Sequence, residues 1–287
     1  MGADDPARDV HDFGIAVFLD VLGARVHGKE EATRLLQRIK GLLSTARDKH
    51  VPDLEDYVSS CGLVEPEMCK PRMRLVGDAI LLTWVVRGRP GALLPCAVVV
   101  QNIFVDALEF HIPLRGAIGV GDIIDEDDIV LGSAVTDAAE WFERADIIGV
   151  IATPRCGTFL EWIAELTQQD RDTLDRYFIP HEVPLKGESK PETMWELAWP
   201  FQFVNRCRGA EAPPRLCLLD FLTRFDIPYI ARQKYRHAME FYDAYAKRWG
   251  GETLVPMDYA LGVGAEGRTE IGGSDEPSEA TGPVSVK

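Results

Sequence analysis

The chain has 287 residues, of which 46% are hydrophobic, and its formal net charge at pH 7 is −15. This length is enough for one large domain with an appendage, and the apolar content is enough for a substantial core. The acidic balance excludes a nucleic-acid-binding protein that works through a broad basic surface.

The N-terminus, the most apolar run and the cysteines bear on location. The N-terminus is acidic and lacks the apolar stretch of a signal peptide. Residues 92–105 form the most apolar run, which contains Pro95 and Gln101 and is too short to span a bilayer. The six cysteines include no close CxxC pair, which argues against a zinc site. We therefore expect a cytoplasmic protein with reduced thiols and no membrane contact.

Strand and helix patterns alternate along the first half of the chain, as judged from apolar spacing. The predicted elements are a buried strand over 14–19, a helix over 28–49, a short strand over 57–63, a hairpin over 73–86 and a buried helix over 90–109. The hairpin turn is placed at Gly77 and Asp78.

The alternation continues in the second half. The predicted elements are a strand over 111–121, an acidic turn over 125–128, a short strand over 129–131, helices over 132–145 and from 153 or 154 to 166, and strands over 147–152, 178–184 and 194–198. Glycines in the first of these strands predict that another backbone or a ligand approaches closely. The pattern predicts an α/β (α+β) sandwich with a mixed sheet flanked by helices.

The composition divides the chain into three parts. We expect an α/β domain over the first part of the chain, to about residue 200, and a helical C-terminal extension over 201–260. From 261 to 287 glycine, glutamate, serine and proline dominate, so this tail is expected to be disordered.

Two aspartates stand at the ends of apolar, strand-like runs. Asp20 follows Phe18 and Leu19, and Asp78 follows Gly77 in the predicted hairpin. A carboxylate in such a run is costly to bury unless it is paired or binds a metal. Two of them, each near a glycine, indicate a divalent-cation site that holds phosphates. A structural alternative stays open, in which Asp20 caps a turn and Asp78 belongs to an ordinary hairpin.

The order of these motifs resembles that of the class III nucleotide cyclase catalytic domain, over roughly residues 12–200. Phe18–Gly23 is similar to the first metal motif of that family, Gly77–Asp78 to the second, and Ile129–Val135 to the segment before its catalytic helix. Within the family, the first motif, Arg115–Ile124 and the start of the helix after Gly132 resemble the bacterial pyrimidine cyclases of the Pycsar anti-phage system.

The resemblance implies a reaction in which the ribose 3′-hydroxyl of a nucleoside triphosphate displaces pyrophosphate from its α-phosphorus. Two divalent ions, Mn²⁺ or Mg²⁺, would be held by Asp20 and Asp78, and the backbone carbonyl of Val21 would complete the shell of one ion. The substrate-binding residues implied in the first motif are Phe18, Leu22, Gly23 and the amide of Ala24.

The resemblance implies three further substrate-binding residues, whose motifs are less specific. Lys186 matches a family lysine that neutralises the terminal phosphates, although a lysine before a glycine also fits a plain turn. Arg74 stands where adenylate cyclases have a base-reading lysine, and its fixed donors suit pyrimidine carbonyls; the alternative is a surface arginine on a hairpin strand. Tyr57 is a base-contacting aromatic residue or an ordinary core or surface tyrosine.

The chain also departs from the family pattern. Thr136 and Glu140 stand where the catalytic helix usually carries the asparagine and arginine that stabilise the transition state. Ile129, next to Asp128, replaces the acidic residue that reads adenine. The missing positive charge would come from Arg115, or the metal ions would do more of the work.

The prediction is a homodimeric uridylate cyclase that makes 3′,5′-cyclic UMP from UTP, with active sites at the dimer interface. The product would activate a separate antiviral effector. CTP as substrate, an adenylate or guanylate cyclase, and a catalytically degenerate nucleotide-binding dimerisation module are the alternatives. The long C-terminal helix would reinforce the dimer or pack within one protomer.

Overall fold

An eight-stranded mixed sheet is the framework of the residues that the computed structural model describes, which are 12–23, 28–61, 70–86, 90–127, 129–167, 174–224 and 232–249. The strands are β1 (Asp12–Val21), β2 (Arg72–Val76), β3 (Ala79–Val85), β4 (Leu114–Glu126), β5 (Ile129–Leu131), β6 (Gly149–Ala152), β7 (Phe178–Val183) and β8 (Glu192–Leu197). Their order is β2-β3-β1-β4-β6-β8-β7, and β5 pairs with the end of β4. Paired strands are antiparallel except β4 and β6, which are parallel.

Helices flank this sheet, which confirms the predicted α/β class. They are α1 (Lys29–Thr45), α2 (Val51–Cys61), α3 (Leu93–Glu109), α4 (Ser133–Arg144), α5 (Pro154–Thr167), α6 (Trp199–Arg206), α7 (Pro214–Thr223) and α8 (Arg232–Arg248). A π-helical segment, Ala46–His50, joins α1 to α2, and a 3₁₀ turn, Pro90–Ala92, precedes α3. The first part of the chain, from β1 through β4, is a βαββαβ unit.

Alternation along β1 assigns the two faces of the sheet. Ile15, Val17 and Leu19 belong to the main core, which also contains α3. Ala16 and Phe18 point to the opposite face and pack against α4. Leu19 and Phe18, which precede Asp20 in β1, therefore pack in different layers. Asp20 shares the α4 face with Phe18.

The close-packing role predicted for the glycines of β4 is confirmed at Gly119. A Cβ atom there would lie 2.5 Å from the carbonyl oxygen of Ala134 and 2.9 Å from the backbone nitrogen of Ala138. Only glycine lets α4 approach the strand this closely. The catalytic-helix candidate is thus fixed against β4 by backbone contact.

The prediction of a strand over 57–63 is wrong for its described part, because Tyr57–Cys61 belong to α2. The preceding segment is anchored to α3, where His50 Nε2 lies 2.5 Å from Asp106 Oδ2, and Leu54 is buried in the core. These tertiary contacts continue the helix through a short run whose spacing alone is ambiguous. Residues 62 and 63 lie outside the described residues.

The three C-terminal helices share the main core with the sheet. Phe203 of α6, Leu218 of α7 and Phe241 of α8 belong to the same buried cluster as Ile15 of β1. The domain boundary at 200/201 stays a prediction, and the predicted tail over 261–287 lies outside the described residues. No helix in the described ranges combines the length and apolar content needed to cross a membrane.

Candidate functional site

Asp20 is held at the end of β1 by an arginine from the next strand. Asp20 and Arg115 are directly opposite each other in the antiparallel pair of β1 and β4. The Arg115 guanidinium donates a hydrogen bond to Asp20 Oδ2, and the two side chains are 8% and 13% exposed respectively. Arg115 also lies 3.4 Å from the carbonyl oxygen of Ala145 and packs over the ring of Phe142, at 5.9 Å from its centroid. The costly carboxylate recognised in the sequence is therefore paired.

Asp78 comes to the same end of the sheet through a tight turn. Val76 pairs with Ala79, so Gly77 and Asp78 form a two-residue loop, and Gly77 has a φ of +65°, which glycine adopts without strain. The Val21 N–H donates to the Asp78 carbonyl oxygen over 3.4 Å. This contact joins the two predicted metal motifs, although they are 58 positions apart in sequence (78 − 20 = 58).

The donor set at this edge suits a hard divalent cation. Asp20 and Asp78 would supply carboxylate oxygens and Val21 a carbonyl oxygen, and oxygen ligands are those that Mg²⁺ and Mn²⁺ prefer. The residues present therefore fit the predicted metal. Arg115 occupies one oxygen of Asp20 and provides positive charge at the same place.

The structure describes two of the three amides that the resemblance assigns to phosphate binding, those of Leu22 and Gly23. The Leu22 N–H donates to the Pro113 carbonyl oxygen over 2.9 Å, so this amide already has a backbone partner. Gly23 has a φ of +84° and turns the chain away from β1. Ala24 lies outside the described residues. Phe18 stacks on Phe142 of α4, with ring centroids 5.3 Å apart, so its visible role is to pack the helix on the sheet.

The structure adds one cation that the sequence did not reveal. Lys234, in the first turn of α8, forms an ion pair with Asp146 and is only 14% exposed. Burial and the charge of Arg115 lower the pKa of Lys234 to about 8, and the charge of Asp20 opposes this shift. Because this pKa is above 7, the ammonium form of Lys234 predominates at neutral pH, beside Asp20 and Arg115. Nothing in the local spacing singles out this lysine from others on an amphipathic helix.

A second arginine–aspartate pair lies on the α4 face of the sheet, between β2 and β4. Arg74 Nη2 donates to Asp125 Oδ1 over 2.6 Å, and Arg74 Nη1 lies 3.2 Å from Asp125 Oδ2. Arg72 contributes another bond of 2.9 Å, and the Thr83 hydroxyl donates to the same carboxylate. Burial raises the pKa of Asp125, but the hydrogen bonds from Arg74 and Thr83 outweigh it and hold the pKa below its ordinary value.

This pair bears on base reading. The sequence resemblance implies a base-reading role for Arg74 and leaves Ile129 in place of an acidic companion. In the structure Arg74 has an acidic companion, Asp125, and Ile129 is a 61% exposed side chain at the strand end. Strand register brings β2 close to the end of β4, and a linear motif does not reveal this contact.

The remaining predicted residues lie on α4, in the turn after Leu185 and on α2. Thr136 and Glu140 are on the exposed side of α4, where Glu140 lies 3.8 Å from Arg144. Lys186 is exposed, and its backbone N–H donates to the Arg144 carbonyl over 2.8 Å. Tyr57 is in α2 rather than in a strand.

One cavity lies elsewhere in the molecule. It has a volume of about 420 Å³ and runs between α5 and β8, where Thr153, Glu161 and Trp195 line it. None of the predicted site residues lines this cavity. The edge that carries Asp20 and Asp78 is thus distinct from it.

Comparison with known proteins gives structural similarity at low sequence identity. No family model matches the chain. No curated protein sequence matches it either. Similar solved structures include an adenylate/guanylate cyclase/hydrolase from Silicibacter pomeroyi, with 18% identity and a TM-score of 0.38 over 64% of this chain and 95% of that one. They also include the adenylyl cyclase CyaB from P. aeruginosa, with 11% identity and a TM-score of 0.36 over 65% of this chain and 93% of that one.

A bacterial light-regulated adenylyl cyclase is similar at 14% identity, with a TM-score of 0.36 over 66% of this chain and 91% of that chain. All three similarities have TM-scores below 0.5.

Proposed function

We propose that this protein is a divalent-metal-dependent nucleotide cyclase that converts UTP to 3′,5′-cyclic UMP and pyrophosphate. The observation that carries the proposal is the meeting of two acidic motifs at one sheet edge, where the N–H of Val21, the residue after Asp20, donates to the Asp78 carbonyl oxygen. A buried carboxylate beside a second acidic motif and two cationic side chains suits a bound triphosphate better than it suits a plain structural turn.

In this mechanism the 3′-oxygen of the ribose forms a bond to the α-phosphorus, the bond from that phosphorus to the bridging oxygen breaks, and pyrophosphate leaves. The proton of the 3′-hydroxyl passes to solvent. Asp20, Asp78 and the Val21 carbonyl would hold two Mn²⁺ or Mg²⁺ ions, whose contribution is to acidify the hydroxyl and neutralise the triphosphate. Arg115 and Lys234 supply fixed positive charge near the same edge.

In this proposal Arg115 takes the role of the arginine that is missing from the catalytic helix. It is buried, it is held by the Ala145 carbonyl and the Phe142 ring, and it is already oriented toward Asp20. A preorganised cation stabilises developing phosphoryl charge without reorganising during the reaction. Lys186 is proposed to contact the terminal phosphates from its exposed turn.

Base recognition is assigned to Arg74 with Asp125. The pair is held rigidly between β2 and β4, where three donors fix the Asp125 carboxylate. The preference for uracil rests on the donors of Arg74, which suit two ring carbonyls better than an amino group. CTP is the alternative pyrimidine substrate, and Tyr57 is the alternative base contact.

A homodimer with two interfacial sites completes the proposal. Thr136 and Glu140 are exposed on α4, where a second copy can reach them. Ile129 and Leu131 of β5 are 61% and 58% exposed, and Val76 of β2 is 51% exposed. Large exposed apolar side chains suit a protein–protein contact. The proposed cyclic product would activate a separate antiviral effector.

A catalytically silent nucleotide-binding module is the second candidate, because Thr136 and Glu140 replace the usual transition-state residues. The test is a purified-protein assay with ATP, GTP, CTP and UTP separately, each with Mn²⁺, in which mass spectrometry identifies cyclic products. We expect cyclic UMP. Cyclic AMP or GMP alone would refute the pyrimidine assignment, and metal-dependent UTP binding with no pyrophosphate release would establish the silent module instead.

A further inference from the structure

A second group of metal-ligating side chains lies on the other side of β6 from Arg115. His181 of β7, Glu196 of β8 and His237 of α8 place one ligand atom each within 4.8 Å of one another. His237 Nε2 is 2.9 Å from Glu196 Oε2, and the rings of His181 and His237 are 5.2 Å apart. The three residues come from three separate elements, so the fold, rather than local sequence, creates the cluster.

The carboxylate at the centre of the cluster is incompletely satisfied. Glu196 is 0% exposed, and its Oε1 atom has no hydrogen-bond partner among the described residues. A buried carboxylate oxygen without a donor is costly, because its lost hydration is not replaced. Gly149 of β6 leaves the space that this oxygen occupies, since a Cβ atom there would lie 2.4 Å from Oε1. The packing preserves a pocket for the carboxylate but does not neutralise it.

The chemistry of the group differs from that of the Asp20 edge. Two imidazoles and one carboxylate form a ligand set that binds Zn²⁺ and related transition metals, whereas Mg²⁺ prefers oxygen ligands and water. His181 is half-buried, so an ion can enter along its side.

We propose that His181, Glu196 and His237 bind one divalent transition-metal ion of the zinc type, which fastens α8 to β7 and β8. Ligand atoms about 2.1 Å from a tetrahedral ion lie about 3.4 Å apart, so separations of up to 4.8 Å in the cluster would shorten by at most about 1.4 Å, which side-chain rotation supplies. The ion would neutralise Glu196, including its unpartnered oxygen. His237 is one helical turn from Lys234, so the site also fixes the part of α8 that faces Asp20.

The test separates this site from the proposed catalytic one. Tag-free full-length protein carrying Asp20→Asn and Asp78→Asn is stripped with a chelator and titrated with Co²⁺, a spectroscopic substitute for Zn²⁺. We expect visible absorption bands that saturate at one Co²⁺ per chain, displacement of Co²⁺ by Zn²⁺, and no competition from millimolar Mg²⁺. Zn²⁺ is also expected to raise the thermal midpoint of this protein, because it binds the folded chain.

His181→Asn in the same background is expected to weaken Co²⁺ binding by about 100-fold or more, because one of three ligands is lost. His111→Asn is the matched control, since His111 is a separate histidine with a φ of +56° that asparagine tolerates. Equal binding by the His181 and His111 variants would overturn the proposal. Failure of the parental protein to bind Co²⁺ stoichiometrically would overturn it without any variant at the cluster.

Discussion

Asp20 and Asp125 are both paired with arginines on the same face of the sheet, but the two carboxylates are held very differently. Asp125 is 1% exposed in its side chain and accepts hydrogen bonds from Arg72, Arg74 and Thr83. In the described part of the chain, Asp20 accepts from Arg115 alone, and its side chain is 13% exposed. A carboxylate whose oxygens are fully used orients its partners, whereas one with a remaining oxygen can bind a cation.

The surroundings of the two carboxylates reinforce this contrast. The Asp20 edge also holds the carbonyl contact between Val21 and Asp78 and the ammonium of Lys234 from α8. The Asp125 centre lies among strand residues, and its arginines come from one hairpin strand. We infer that the Asp20 edge does chemistry and that the Asp125 centre reads or positions what binds there.

Removing the acidic oxygens at the Asp20 edge should have the largest effect. Asp20→Asn and Asp78→Asn are each expected to lower kcat/KM for cyclic UMP formation by about 10³-fold or more, because metal-bound charge stabilises the transition state. Product formation by mass spectrometry, with circular dichroism for folding, measures this. Asp53→Asn, at an exposed aspartate of α2, is the matched control and should keep full activity. Activity that survives in either site variant would rule out the metal assignment.

Neutralising Lys234 tests whether the C-terminal helix belongs to the Asp20 edge. Lys234→Met is expected to raise KM for UTP by about tenfold, since one charge-assisted contact to phosphate is worth roughly 1.5–3 kcal/mol. Lys247→Met, at an exposed position in the last turn of the same helix, should leave KM unchanged. Steady-state kinetics at pH 7 distinguish the two variants. An equal effect of both would mean that Lys234 acts only through helix stability.

The Asp20 edge could largely be predicted from the sequence, and Lys234 could not. Carboxylates at the ends of apolar runs, with turn glycines nearby, are local signals, and Gly77 confirms the turn geometry. The approach of Lys234 depends on how α8 packs over the sheet, which no short-range pattern encodes. The same holds for the pairing of Arg74 with Asp125, because it depends on strand register across β2, β3 and β4.

The helix at Tyr57 shows a second reason why a prediction from sequence can be wrong. A short run with mixed spacing fits a strand or a helix, and the buried contact between His50 and Asp106 decides in favour of a helix. Motif order predicted the mixed sheet, whereas tertiary contacts determined which ambiguous segments joined it.

Substituting Arg74 and Arg72 separately tests whether the Asp125 centre reads the base. Arg74→Ala is expected to change the ratio of UTP to CTP turnover several-fold while leaving the Mn²⁺ dependence intact, because Arg74 carries the proposed base contact. Arg72→Ala is the matched control, since it removes a 56% exposed arginine that also binds Asp125. Competition assays with both nucleotides give the ratio directly. An unchanged preference in Arg74→Ala would move base reading to Tyr57 or another residue.

The smallest expected effect is on stability in acid, and it depends on the lowered pKa of Asp125. Hydrogen bonds from Arg74 and Thr83, which outweigh burial, hold the pKa of Asp125 below the ordinary value of 3.8. A carboxyl with a depressed pKa in the folded state contributes stability above its unfolded pKa, and this contribution is lost as pH falls through the folded pKa. The difference in unfolding free energy between the wild type and Asp125→Asn should therefore be constant near neutrality and shrink below about pH 4.

Urea unfolding at a series of pH values from 7 to 3 measures this difference, with the denaturant slope checked for constancy. Asp53→Asn should give a curve parallel to the wild type, because the Asp53 side chain is exposed. A difference that already disappears above pH 5 would mean that burial raises the pKa of Asp125 more than its donors lower it. In that case Asp125 would be a protonated partner near pH 5, and the rigid charged pair assigned to base reading would be lost.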